Sequence, residues 1–217
     1  MSINKNILNQ IANRIEEGNE KGVKECIEKA ISQNIFIADV LNDGLVKGMS
    51  NVGVKFKNNE IYLPEVLIAA RAMKAGMEII KPLLAEAKVK SKGKVVIGTV
   101  KGDLHDIGKN LVSMMLEGAG FEILDLGIDV SHDKFVTTVK NENADVIAMS
   151  ALLTTTMMNM KEVIYALENA GIRNNIKVII GGAPVSHTFA SQIGADGYAP
   201  DAASAVDAVV ALLKCEN

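Results

Sequence analysis

The chain holds no tryptophan, and aromatic residues make up only 4% of it. A surface that stacks nucleic-acid bases needs aromatic platforms, so that class of function is disfavoured. Positive charge is not in excess either. Lys and Arg number 23 against 26 Asp and Glu, a net charge of −3, which argues against gripping a phosphate backbone. The two cysteines, Cys26 and Cys215, lie near opposite ends and match no zinc-site spacing. Cys26 is expected to be a free buried thiol and Cys215 a frayed terminal one. Long apolar runs are missing as well: no stretch approaches the roughly 18 to 20 residues of a membrane span. The start, Met1-Ser2-Ile3-Asn4-Lys5, lacks the apolar centre of a signal peptide. The expectation is a cytoplasmic protein with no membrane and no nucleic-acid partner.

What is present is apolar material, 48% of 217 residues, enough for one large domain or two small ones. Residues 3 to about 90 read as helix. Ile3, Ile7, Ile11 and Ile15 recur at helical spacing, and Gly18-Asn19 is a stop and cap signal. A second helix carries Val23, Ile27, Ala30 and Ile31. A third runs from about Ile35 to Lys55, where Gly44 and Gly48 suggest close helix packing. The fourth starts at Tyr62-Leu63-Pro64-Glu65, with Pro64 in the first turn, where its missing N–H costs nothing. Four such helices with short turns make an antiparallel bundle. The polar run Lys88-Val89-Lys90-Ser91-Lys92-Gly93-Lys94 is the best linker, so the domains are drawn as 1–90 and 91–217.

After Gly93 short apolar runs alternate with helical ones. Strands are expected at Lys94–Gly98, Glu122–Asp125, Val146–Met149, Val178–Ile180 and near Gly197-Tyr198. Helices are expected at about 107–119, 132–142, 157–170, 187–193 and 201–213. That alternation implies a parallel sheet with helices on both faces. Five strands suggest the flavodoxin-like order 2-1-3-4-5, with a ligand crevice beside the first strand. The fold class is therefore α plus α/β: a four-helix bundle followed by a flavodoxin-like, Rossmann-type five-stranded parallel sheet.

The first strand runs into Gly-Thr-Val-Lys-Gly-Asp-Leu-His-Asp-Ile-Gly-Lys-Asn, residues 98–110. The loop is not a phosphate-binding P-loop. Five residues rather than four separate Gly102 from Gly108, and Asn110 rather than Ser or Thr follows Lys109. It does bring Asp103, His105 and Asp106 together between glycines, where a ligand would sit. On residue chemistry alone, His105 could equally cap the following helix. His132 and His187 lack such a partner and read as helix-start or surface histidines.

Asp103-Leu104-His105-Asp106-Ile107-Gly108 resembles the Asp-x-His-x-x-Gly signature of cobalamin-binding domains. Through Asn110 it is similar to cobalamin-dependent methionine synthase and to the corrinoid proteins of methyl-transfer systems. The resemblance implies His105 as the lower axial ligand of cobalt, Asp103 on its far ring nitrogen, and Gly108 beside the cofactor's displaced tail. Imidazole is a usual nitrogen ligand for a transition metal, and a carboxylate behind it fixes its tautomer. Protonating the Asp–His pair would favour release of His105.

The other strand ends fit the same resemblance. Met149-Ser150-Ala151-Leu152-Leu153-Thr154-Thr155-Thr156 is similar to the family's Ser-x-Leu-x-Thr segment. It implies Ser150, Leu152 and Thr154 against the nucleotide tail and Thr156, a Thr where the family has Ser, completing a relay with Asp103. Gly181-Gly182-Ala183 would face the tail's phosphate and base, and Tyr198 would close the pocket. Short of the resemblance, the hydroxyls could be caps and the glycines a plain tight turn. The bundle stretch from Glu60 to Pro82 resembles the families' helical cap, which implies Tyr62 and Leu63, with Met73, on the methyl side of cobalt.

The resemblance implies a non-catalytic carrier that holds cobalamin or another corrinoid, in its methylcobalamin form during turnover. A substrate:corrinoid methyltransferase would load it from a methylamine, methanol, a methyl ether or a betaine. A second methyltransferase would pass the group to coenzyme M or tetrahydrofolate, and a reductive activation protein would restore the cobalt. Such chemistry belongs to one-carbon metabolism and methanogenesis. A cobalamin-dependent regulator would be expected to show a DNA-binding segment, and a mutase small subunit to lack the bundle.

Overall fold

The computed structural model describes residues 2–214, with side chains from Asn4 onward. The chain divides into two compact units, one up to Lys92 together with Glu117–Gly120 and one of Gly93–Leu116 with Phe121 onward.

The first unit is helical: α1 (Ser2–Glu16), α2 (Glu20–Ser32), α3 (Ile37–Asp39), α4 (Lys47–Lys57) and α5 (Leu63–Glu86). Ile7, Ile11 and Ile15 on one stripe of α1 bury against Val23 and Ile27 of α2, Leu45, Met49 and Val52, and Met73 and Ile80 of α5. Asn19 caps α2 by accepting the Gly22 N–H at 2.9 Å. Tyr62 precedes α5, and its N–H donates to Glu65 Oε2 at 3.1 Å, closing the first turn.

The third helix departs from the regular run expected over 35–55. Between α3 and α4, Val40–Val46 is π-helical, and the run continues to Lys57. Its wider turns accompany a close approach to α1. A Cβ on Gly44 would meet Ile11 at 3.2 Å, and one on Gly48 would meet the Ala12 carbonyl oxygen at 2.8 Å. Glycine is what allows the two helices to touch at that level. Met73, expected to reach toward cobalt, is instead core: it is 2% exposed, because its helical stripe faces the bundle interior. Cys26 is a free, half-buried thiol whose pKa is pushed up by burial, and Cys215 lies outside the described residues.

The second unit is a parallel sheet in the order β2-β1-β3-β4-β5. Its strands are β1 (Lys94–Thr99), β2 (Glu122–Asp125), β3 (Val146–Ser150), β4 (Lys177–Gly181) and β5 (Gly197–Ala199). Its helices are α6 (Ile107–Gly118), α7 (His132–Glu142), α8 (Asn159–Asn169), α9 (His187–Ile193) and α10 (Ala202–Lys214). The chain reverses its direction across the sheet at β1, and right-handed crossovers then put α6 on one face and α7, α8 and α9 on the other.

The face under α7–α9 is filled. Val96, Ile147, Met149, Val178 and Ile180 form one cluster with Phe135, Met160, Ile164 and Phe189. Packing there is tight enough that a Cβ on Gly98 would meet the Phe135 ring at 2.8 Å. The opposite face narrows toward the carboxyl ends of the strands. Register aligns Ile97, Ala148, Ile179 and Gly197 in one row, and Thr99, Ser150, Gly181 and Ala199 in the last. Every side chain in that last row is small. Among the described residues no helix is long and apolar enough to cross a membrane.

Candidate functional site

β1 and β3 are neighbours, and their following loops part to opposite sides of the sheet, which opens a crevice at their carboxyl ends. The loop leaving β1 turns at Val100–Asp103, where the Asp103 N–H donates to the Val100 carbonyl at 3.1 Å and Gly102 takes φ +78°. That turn drives the Asp103 carboxylate inward until it is wholly buried.

Donors from two loops converge on it. Oδ1 accepts His105 Nδ1 at 2.8 Å and the His105 N–H at 3.1 Å. Oδ2 accepts the Thr156 hydroxyl at 2.6 Å and the N–H groups of Leu152 and Leu153 at 2.8 and 3.3 Å. Thr156 Oγ1 also lies 3.0 Å from the Leu153 carbonyl, but it has one proton, and the shorter contact to a carboxylate is the stronger bond.

Burial pushes the Asp103 pKa up. The bonds from Thr156, the Leu152 N–H and His105 together outweigh burial and hold the carboxyl well below the usual carboxylate range. An ionised Asp103 can only accept, so the shared proton sits on Nδ1. The lone pair of a neutral ring is then at Nε2. The ring is half exposed, at 51%, although the carboxylate behind it is wholly buried. Thr99 Oγ1 donates to the His105 carbonyl at 2.8 Å and pins the backbone below the ring.

Around the histidine lies a rim of exposed apolar side chains: Leu104, Ile107, Ile128, Leu152, Leu153 and Met158. They come from the loops at the carboxyl edge of the sheet and from the helix starts that follow them, where a protein surface would ordinarily be polar. Among the described residues no group of three or more His, Cys, Asp and Glu could hold a metal ion. One basic imidazole nitrogen set in an apolar rim therefore suits a metal already enclosed by a flat organic ligand, and it does not suit a bare ion. The cofactor implied by the loop resemblance fits these residues.

The remaining expected site residues divide. Asp106 and Ile107 are exposed at the start of α6, where Asp106 Oδ2 accepts Asn110 Nδ2 at 3.0 Å. Gly108 has open space around it, with nothing within 4 Å of an added Cβ. Ser150 ends β3 in the row of small side chains, and Thr154 is exposed in the next loop. Gly181 lies in the same row, where a Cβ would meet the Ala199 carbonyl at 2.9 Å. Gly182 has φ +122° and packs on the Ala151 carbonyl, so it is required for the crossing of two loops, while Ala183 is exposed beyond it. Tyr198 is not brought to the crevice. Its side chain alternates to the filled face and packs on the cluster under α7–α9, and Ala199 occupies the crevice side. Tyr62 and Leu63 belong to the helical unit, Tyr62 exposed and Leu63 half-buried.

Four further residues complete the loop. Besides Thr99, Asn159 Nδ2 donates to the Lys101 carbonyl at 2.8 Å, and Asp129 Oδ1 accepts the Gly102 N–H at 2.7 Å. Lys109 is 2% exposed and is paired with Asp125 and Asn110. Nothing local marks Asp129 or Asn159 in the sequence, and both reach the loop through the pairing of strands. Lys109 lies within the 98–110 stretch itself, and it is its partner Asp125 that the pairing of β1 with β2 brings near.

Residues 93–207 match the model of a B12 binding domain, and residues 7–81 match a second B12 binding domain model. A corrinoid protein of Desulfitobacterium hafniense is 42% identical over 204 residues, covering 93% of this chain and 94% of the relative. Dimethylamine corrinoid protein 1 of Methanosarcina acetivorans is 44% identical over 201 residues, covering 92% and 94%. Among solved structures, a chain of the methanol:cobalamin methyltransferase complex MtaBC of Methanosarcina barkeri superposes with a TM-score of 0.86 at 36% identity. It covers 96% of this chain and 80% of that one.

Proposed function

The chain belongs to the family of B12-binding corrinoid proteins, and on that premise we propose that it carries a methyl group between two methyltransferases. One partner loads the group from a methylamine, methanol, a methyl ether or a betaine. The other passes it to coenzyme M or tetrahydrofolate, and a reductive activation protein restores inactive cofactor. Similar proteins named for dimethylamine and for methanol support the methylamine and methanol members of this range.

The observation that carries the reading is the His105–Asp103–Thr156 chain, with one ring nitrogen outward and the other tied to a buried carboxylate. The bound corrinoid supplies a cobalt that accepts a methyl group from one molecule and yields it to another. His105 Nε2 would bind that cobalt. Asp103 keeps the Nδ1 proton in place and makes Nε2 more basic. Thr156 fixes the far oxygen of Asp103, so a proton entering the pair is held at Asp103 and His105. The small row Thr99, Ser150, Gly181 and Ala199 leaves depth at the strand ends for the cofactor's tail. Leu104, Ile107 and Leu152 would offer apolar surface to the macrocycle and keep water from it.

The test is to incubate purified protein with hydroxocobalamin, desalt it, and record the visible spectrum and the electron spin resonance of the cobalt(II) form. His105→Ala is measured beside it. Stoichiometric corrinoid with nitrogen coupling that the variant loses is the expected result. A protein that retains no corrinoid overturns the proposal. Retained corrinoid with an unchanged spectrum in the variant removes His105 from its role.

A further inference from the structure

Asp129 stands outside the motif, on the loop between β2 and α7, in a conformation that asks for an explanation. Its φ is +53°, in the left-handed region that non-glycine residues seldom occupy. Strain of this kind persists where surrounding bonds require it. Here two bonds do. Asp129 Oδ1 accepts the Gly102 N–H at 2.7 Å, and the Asp129 N–H donates to the Asp103 carbonyl at 3.1 Å. Asp129 therefore grips the main chain on both sides of the Asp103 α-carbon. The neighbouring chain is zipped to the same loop: the Thr99 N–H donates to the Gly127 carbonyl, and the Val130 N–H to the Thr99 carbonyl.

We infer that Asp129 is a positioning residue for the Asp103–His105 pair, acting through the Gly102–Asp103 backbone. The division of labour is physical. Bonds from the loop after β3 hold the Asp103 carboxylate, whereas Asp129 holds the backbone that carries it. Without the Asp129 carboxylate the Gly102 N–H loses its acceptor, and the backbone at Asp103, then held by the Asp103 N–H on the Val100 carbonyl and by the Asp129 N–H, has more room to pivot. A pivot of a few tenths of an ångström lengthens the Oδ1–Nδ1 bond and lets the ring change tautomer. Asp129 is exposed and bonds to the main chain of Gly102 and Asp103, not to the His105 ring, so its effect on the imidazole is indirect. The consequence for cobalt rests on the proposed corrinoid reading. The consequence for the imidazole does not.

The test uses Asp129→Ala, Asp129→Gly and Asp129→Asn in the full chain. Asparagine keeps an oxygen acceptor and tolerates the left-handed region, so it rescues. Glycine relieves the backbone strain but removes the acceptor, so it separates the two contributions. The first readout is nitrogen-15 NMR of His105 in the cofactor-free protein. The ratio of Nδ1–H to Nε2–H tautomer should fall about fivefold in Ala and Gly, the size of one hydrogen bond, and stay near the parent value in Asn. The second readout is the nitrogen-coupled fraction of bound cobalt(II), which should fall in the same variants at unchanged corrinoid stoichiometry. A parent-like tautomer ratio in folded Asp129→Gly overturns the inference, as does a loss in Asn equal to that in Ala. If Asp129→Ala fails to fold, Gly and Asn decide the matter alone. A parent protein that binds no corrinoid defeats the carrier proposal and leaves the tautomer result standing.

Discussion

The two faces of the sheet are made from the same five strands and end differently. Under α7–α9 the face is filled to its edge. Met149, Ile180 and Tyr198 stand in the row where Phe135 closes over Gly98. On the other face the row at the edge is Thr99, Ser150, Gly181 and Ala199. The filled face carries the packing that stabilises this unit, and the other face leaves room for the proposed site. Large side chains on one face hold the strands. Small ones on the other leave depth beside His105. A strand's alternation lets both be written into one stretch of five or six residues.

The largest break in that comparison is Phe135→Ala. It empties the filled face, and urea denaturation should show a loss of about 3–5 kcal/mol. The protein that remains folded should keep its corrinoid stoichiometry, because the ring lies on the opposite side from the crevice. Loss of corrinoid in the folded fraction would mean that the faces are not independent.

Asp103→Asn comes next. It leaves the Thr156 hydroxyl and the Leu152 N–H sharing a weaker acceptor, at a cost of about 2–3 kcal/mol near neutral pH. The sign of its pH dependence follows from the lowered folded-state pKa. The carboxylate stabilises the fold above its unfolded value of about 4. That contribution falls away as the solution is acidified below it. Parent and variant stabilities should therefore differ most above about pH 5 and converge in acid. A gap that stays constant with pH would show that Asp103 is not held ionised.

The smallest stability effect is expected from Ser150→Val. It widens one residue in the last row, and the folded state should change by no more than about 0.5 kcal/mol. Retention of corrinoid should nevertheless fall about tenfold, the scale of overpacking one branched side chain. Unchanged retention would place the tail elsewhere and dissolve the contrast between the faces.

Much of the fold was legible because its signals are local. The switch from helical to alternating rhythm at Gly93, and glycine at helix ends, lie within a few residues of what they mark. The strand order followed from the alternation of elements. What was missed depended on register or distance. The resemblance puts Tyr198 at the pocket, but β5 is three residues long, and a shift of one residue in so short a strand exchanges the faces. The π-helical Val40–Val46 is hidden, since seven residues do not distinguish an i→i+5 ladder from an i→i+4 one. Nothing near Lys109 in the sequence names Asp125 as its partner, and only the pairing of β1 with β2 brings the two together. At the site, Asp103 and His105 are two residues apart and were readable together. Asp129 lies beyond a further helix and strand and was not.

The spacing of these partners bears on how the protein is made. The loop holding His105 is tied to residues that follow it in synthesis, from Asp129, 27 positions after Gly102, to Asn159, 58 positions after Lys101. A ribosome that has released the whole Asp-x-His-x-x-Gly segment has therefore released every residue of the motif and no site. Until β3 pairs with β1 and Thr156 arrives, Asp103 has no reason to be buried and His105 is an ordinary surface histidine. On the proposed reading, capture of the cofactor at His105 therefore waits until the sheet has closed.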